Sequence, residues 1–191
     1  MARIALMSGS LRAESANSAV IATARHIIEG RAEGHRTSVV SPRDFPWFDE
    51  DVERTGAAEP LSAARERIAT ADALIISSPA YNGYPSGVLK NALDWLSRPT
   101  GGGALSGLPV AIASASPGRA GGANVQPHLR SILINCGAVV VECDEVAIGD
   151  AVRLRTAGGL IVEPGAVKTL ERLTEAALAA ARERAARRVC P

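Results

Sequence analysis

Residues 7–20, MSGSLRAESANSAV, place four serines, an arginine and an asparagine directly behind a short apolar run. Ser10, Ser15 and Ser18 offer hydroxyl donors, Asn17 an amide and Arg12 a charged fork of N–H groups. Between a strand and a helix, such donors join unpaired backbone N–H groups and the positive end of the helix dipole, where anions settle. A plain polar turn needs only one serine or asparagine as a helix cap. The surplus of small donors points to an anion cradle. A triphosphate loop needs Gly-Lys-Ser/Thr here, and the dinucleotide fingerprint needs three spaced glycines. Neither is present, because Gly9 is the stretch's only glycine. The later GGG at 101–103 precedes a strand instead of following one. A pocket for a single terminal phosphate remains.

Two further loops carry residues suited to a flat ligand. SSPAYNGYPSG (77–87) holds Pro79, Ala80, Tyr81, Asn82 and Gly83, and both tyrosines of the chain. A turn leading into a helix cap accounts for Pro79, Gly83 and Pro85 but leaves the tyrosines unexplained. A rigid backbone with aromatic faces is suited to holding a planar ring. SASPGRAGGANVQ (114–126) offers hydroxyls at Ser114 and Ser116, and Gly118, Gly121 and Gly122 allow close backbone approach.

The elements that position these loops alternate in kind. Strands are expected at 3–7, 36–41, 72–78, 109–116 and 138–148, because each run is short, apolar and rich in β-branched or aliphatic residues. Helices are expected at 17–34, closed by Gly34, and at 61–71, 86–98 and 125–137. The last helix runs from Pro164 to Arg187, with Val167, Leu170, Leu173, Ala177, Leu178 and Ala181 on its buried side. A long acidic, proline-bearing connection covers 42–60. Five strands alternating with helices imply parallel βαβ units in one three-layer α/β domain spanning 1–191. Ligands of such sheets bind beyond the carboxyl ends of the strands, where the loops after strands one, three and four fall.

With 191 residues, 47% apolar and 21% charged, the chain can bury a core without disulfides or metal. A net charge of +1 provides no electrostatic footprint for nucleic acid or an acidic membrane. No apolar run approaches the ~20 residues of a membrane helix, and no secretory leader is visible. Three cysteines without a Cys-x-x-Cys pair argue against a disulfide framework or zinc site and for a reducing cytoplasm. His26, His35 and His128 lack metal-ligand spacing. Trp95 falls on the helical stripe of Leu89 and Leu93, Lys90 and Asp94 form an i,i+4 pair, and Trp47 and Phe48 either anchor their loop or overhang a neighbouring subunit.

The strings GSLRAESAN (9–17), FPWFDED (45–51), ADALIISSPAYNGYPSGVLKNALDWLSRP (71–99) and SASPGRAGGANVQPHLRSIL (114–133) resemble the NADPH-dependent FMN reductases, which include quinone, azo-dye and chromate reductases. The resemblance implies a flavodoxin-like sheet of strand order 2-1-3-4-5, FMN as cofactor, NADPH or NADH as donor, and a homodimer or homotetramer. It implies that Ser10, Arg12, Ser15 and Asn17 hold the FMN phosphate. Pro79, Ala80, Tyr81, Asn82 and Gly83 would contact the isoalloxazine, with Ser114, Ser116, Gly118 and Gly121 on its other edge. Ala80 stands where the family usually carries glutamate. Hydride would pass from NAD(P)H to flavin N5, then to a small acceptor: a quinone, an azo compound, a metal oxyanion or free flavin. The protein itself shows no Ser-His-Asp or Cys-His arrangement, so the cofactor would carry the chemistry. A flavodoxin-type electron carrier is the alternative, although such carriers are usually acidic; a nucleotide-binding module without flavin is another.

Overall fold

A computed structural model describes residues 1–55, 59–154 and 158–189. Its core strands are β1 (Arg3–Ser8), β3 (Ala73–Ser78) and β4 (Pro109–Ala115), which are buried almost throughout. β2 (Arg36–Val39) lies outside β1, and β5 (Val139–Val140) lies outside β4. All ladders are parallel, in the order β2-β1-β3-β4-β5.

The side-chain alternation of the central strands divides the core into two layers. Ile4, Leu6 and Ile75 pack under α1 (Ala16–Glu29) and α6 (Pro164–Val189), against Val20, Ile28, Leu170 and Leu173. Ala5, Met7, Leu74 and Ile76 face the other way. They meet α3 (Glu59–Ala69), α4 (Gly87–Leu96) and α5 (Gln126–Asn135) through Leu61, Ile68, Leu89, Leu93, Leu129 and Leu133. Trp95 is wholly buried in this layer. A short α2 (Glu50–Thr55) and a 3₁₀ turn at Pro42–Asp44 break up the long connection after β2.

Two expected elements differ by more than two residues at a boundary. α1 stops at Glu29 instead of Gly34: the Gly30 N–H closes it on the His26 carbonyl at 3.0 Å, and the Arg31 N–H turns back to the Ile28 carbonyl at 3.3 Å. Gly34, at φ +67°, serves the turn into β2. The fifth strand, expected to run unbroken over 138–148, divides into β5 and β6 (Ala147–Ile148), both paired to β4. Residues 141–146 face only residues 111–113 of β4, so the surplus cannot follow the pleat. The segment bulges, with Glu142, Asp144 and Glu145 exposed. The sheet therefore has six strands instead of five. Among the described residues, no helix is long and apolar enough to cross a membrane.

Candidate functional site

The carboxyl ends of β1, β3 and β4 lie side by side, and the loops that leave them are tied together. Gly9 donates to the Ser77 carbonyl at 2.8 Å, and Ser86 Oγ donates to the Gly9 carbonyl while capping α4. A Cβ on Gly9 would lie 2.9 Å from Leu89 Cδ2 and 3.0 Å from Pro79 Cδ. The lone glycine of the first loop is thus set by packing against the second.

Within that first loop the bonds are long. Ser10 N donates to Ser8 Oγ at 3.3 Å and Arg12 N to Ser10 Oγ at 3.4 Å. N–H···O bonds cluster near 2.9–3.0 Å, so these weak pairs leave their groups ready for a better partner. Ser15 caps α1, accepting from the N–H groups of Asn17 and Ser18; its own hydroxyl hydrogen remains to donate. The Arg12 side chain is exposed, and among the described residues it forms no ion pair. Arg43 holds the loop from behind by donating to the Leu11 carbonyl at 2.9 Å. Weakly engaged hydroxyls, a helix N-terminus and an unpaired guanidinium suit a phosphate monoester.

Asn17 departs from the expectation that its amide meets the anion. It is buried, and Oδ1 accepts from Ser77 Oγ at 2.8 Å and from Ala115 N at 3.1 Å. Nδ2 donates to the Ala115 carbonyl at 3.0 Å. The side chain is a clasp joining the start of α1 to the ends of β3 and β4.

The second loop is a two-residue hairpin. Tyr81 and Tyr84 exchange backbone hydrogen bonds of 2.9 and 3.1 Å, with Asn82 at φ 53° and Gly83 at φ 87° between them. This is the Asn-Gly turn that needs positive φ at both positions. The N–H groups of Asn82 and Gly83 take no part in that pair of bonds, so they remain available at the tip. Pro79 is buried beneath, and Ala80 is half-buried with its Cβ toward Gly122. Both tyrosines are exposed, and Tyr84 stacks on His128 with ring centroids 4.3 Å apart.

In the third loop the expected ligand contacts are partly replaced by internal ones. Ser114 is wholly buried, and its Oγ accepts from Gln126 Nε2 at 3.0 Å, so it supports the loop from below instead of lining its surface. Gly121, at φ +60°, leaves room for protein and not for a ligand: a Cβ there would sit 2.5 Å from the Ala147 carbonyl carbon. Ser116 is half-exposed, its Oγ donating to the Gly118 carbonyl at 3.2 Å, and Gly118 is open. Gln126 also donates to the Val146 carbonyl, locking the loop against the segment that leads into β6.

Sequence reasoning gave Ser77, Gln126 and His128 no part in this region, although all three lie within the strings at 71–99 and 114–133. It also left open whether Phe48 anchors its loop. Phe48 stacks edge-on against Trp95 at 5.0 Å, and Asn91 bonds Phe48 N and the Pro46 carbonyl, both at 2.8 Å. Trp95 Nε1 shares that carbonyl. Trp47, between these anchors, is nevertheless 77% exposed. Burial pushes the half-buried thiols of Cys136 and Cys143 up, which keeps them protonated and poor nucleophiles. Cys190 lies outside the described residues.

Known proteins match most of the chain. The model of the NADPH-dependent FMN reductase family matches residues 2–153. An NAD(P)H-dependent FMN reductase of Pseudomonas aeruginosa is 36% identical over 170 residues, 89% of this chain and 90% of that one. A quinone reductase of Escherichia coli is 38% identical over 144 residues, 75% of each chain. Among solved structures, FerB, a flavoenzyme NAD(P)H:(acceptor) oxidoreductase from Paracoccus denitrificans, superposes with a TM-score of 0.86 at 28% identity, covering 96% of this chain and 99% of that one. The chain belongs to the NADPH-dependent FMN reductase family, oxidoreductases that use FMN with NAD(P)H as electron donor.

Proposed function

We propose that this protein is an NAD(P)H oxidoreductase that holds FMN at the ends of β1, β3 and β4 and reduces a small acceptor such as a quinone. The observation that carries the reading is the convergence of three loops on one sheet edge, clasped by Asn17. Bound FMN would supply the redox chemistry between NAD(P)H and the acceptor.

The protein's part is to bind and orient. Ser10, Arg12, Ser15 and the first N–H groups of α1 take the phosphate. The hairpin at Pro79–Gly83 would border the ring and offer it the N–H groups of Asn82 and Gly83. Ser116 and Gly118 would flank it from the third loop, while Asn17, Ser114 and Gly121 keep the three loops in register. The named activities of the Pseudomonas and Escherichia relatives support an NAD(P)H donor and a quinone-type acceptor. We also assign a homodimer or homotetramer, supported by the exposed Trp47 on its firmly anchored loop, and a cytoplasmic location, supported by the free Cys136 and Cys143.

Anaerobic titration of the purified yellow protein with NADPH tests the reading. Bleaching of the flavin bands, followed by recovery on adding a quinone, is the expected course. Bands that NADPH leaves untouched, but dithionite bleaches, would identify an electron carrier instead.

A further inference from the structure

We propose that Tyr84, braced by His128, is a specificity-determining residue: a stacking shelf that favours planar aromatic acceptors over compact inorganic ones. The proposal rests on the FMN reading above and adds to it which second substrate the site prefers.

The Tyr84 ring lies 4.3 Å from the His128 imidazole, 29° from parallel, yet Tyr84 remains 59% exposed. One face is therefore covered and the rest is open. Its backbone is fixed as well, because Tyr84 closes the Asn82–Gly83 turn through both hydrogen bonds to Tyr81. His128 is itself carried on α5, two residues beyond the buried Gln126 that locks the third loop to the segment before β6. The shelf is thus assembled from the second loop and the helix that follows the third.

Such a ring is ordered before any ligand arrives. A flat acceptor that lies on it gains stacking without the usual entropic cost of immobilising the side chain. A compact oxyanion gains nothing from a ring face and depends on N–H and cationic groups instead. The distinction acts on acceptor binding, and FMN phosphate is held in another loop altogether.

The test compares 1,4-naphthoquinone, a flat acceptor, with ferricyanide, an octahedral one, on FMN-loaded enzyme. In Tyr84→Ala the ratio of kcat/KM for the two should fall by about three- to tenfold, mainly through KM for the quinone. Tyr84→Phe should restore the ratio, since it keeps the ring. A ratio unchanged in Tyr84→Ala, or one that falls equally in Tyr84→Phe, overturns the shelf. A binding readout stands apart from turnover: 2-naphthol, flat and not an electron acceptor, should shift the His128 imidazole C–H resonances, identified by their loss in His128→Ala. Resonances that do not move with 2-naphthol overturn the shelf. A protein that holds no FMN overturns the proposed function, and the shelf is then judged on the resonance shift alone.

Discussion

Asn17 and Ala115 exchange two hydrogen bonds across 98 residues of sequence, with Nδ2 donating to the Ala115 carbonyl and Oδ1 accepting from its N–H. The same Oδ1 accepts from Ser77, so one amide joins the first helix to the ends of both central strands. Asn17→Ala would strand three buried polar groups, at about 1 kcal/mol or more each. Thermal unfolding should show a loss of about 3 kcal/mol, a fall in Tm of roughly 6–12 °C. A variant as stable as the parent would show that the clasp is unimportant.

Arg12 has the opposite character, being exposed and without an ion pair among the described residues. Arg12→Ala should leave the melting temperature of the flavin-free protein within about 2 °C. FMN affinity should drop by about tenfold, as for the loss of one charge-assisted bond. Quenching of FMN fluorescence on binding measures the constant directly, and unchanged affinity would remove Arg12 from the cradle.

Two glycines of the same loop should respond differently. At Gly121 a new Cβ meets the backbone of Ala147 at 2.5 Å, with φ at +60°. Gly121→Ala should cost about 2–4 kcal/mol by forcing the loop off β6. At Gly118 the nearest atom is Ser116 Oγ at 3.7 Å. Gly118→Ala should stay within about 0.5 kcal/mol of the parent in urea denaturation.

Glu163 caps the last helix, accepting from the N–H groups of Gly165 at 2.9 Å and Ala166 at 2.6 Å. These bonds, Gly165's first, hold its carboxyl below the ordinary glutamate value. A carboxylate lowered in the folded state stabilises fully above its unfolded pKa and loses that contribution as pH falls through the folded one. The Tm gap between the parent and Glu163→Gln should therefore be present at neutral pH and shrink as the solution is acidified below the ordinary value. A gap independent of pH would show that charge plays no part in the cap.

The sequence by itself determined the central sheet. Residues 4–7, 73–76 and 110–113 are apolar at every position because both faces of β1, β3 and β4 are covered, and a chain that must bury both faces shows it locally. A helix cap in the first loop and a turn in the second were legible for the same reason: each depends on neighbours a few residues away. Tertiary structure alone decided the rest. Asn17 reads as an anion donor until Ala115 and Ser77 occupy its amide, and Ser114 reads as a surface hydroxyl until Gln126 covers it. Gly121 faces the backbone of β6, whose separation from β5 depends on how many residues β4 can match. In each case the residue's chemistry was visible from the start, but its partner comes from a distant part of the chain, and only folding brings the two into contact.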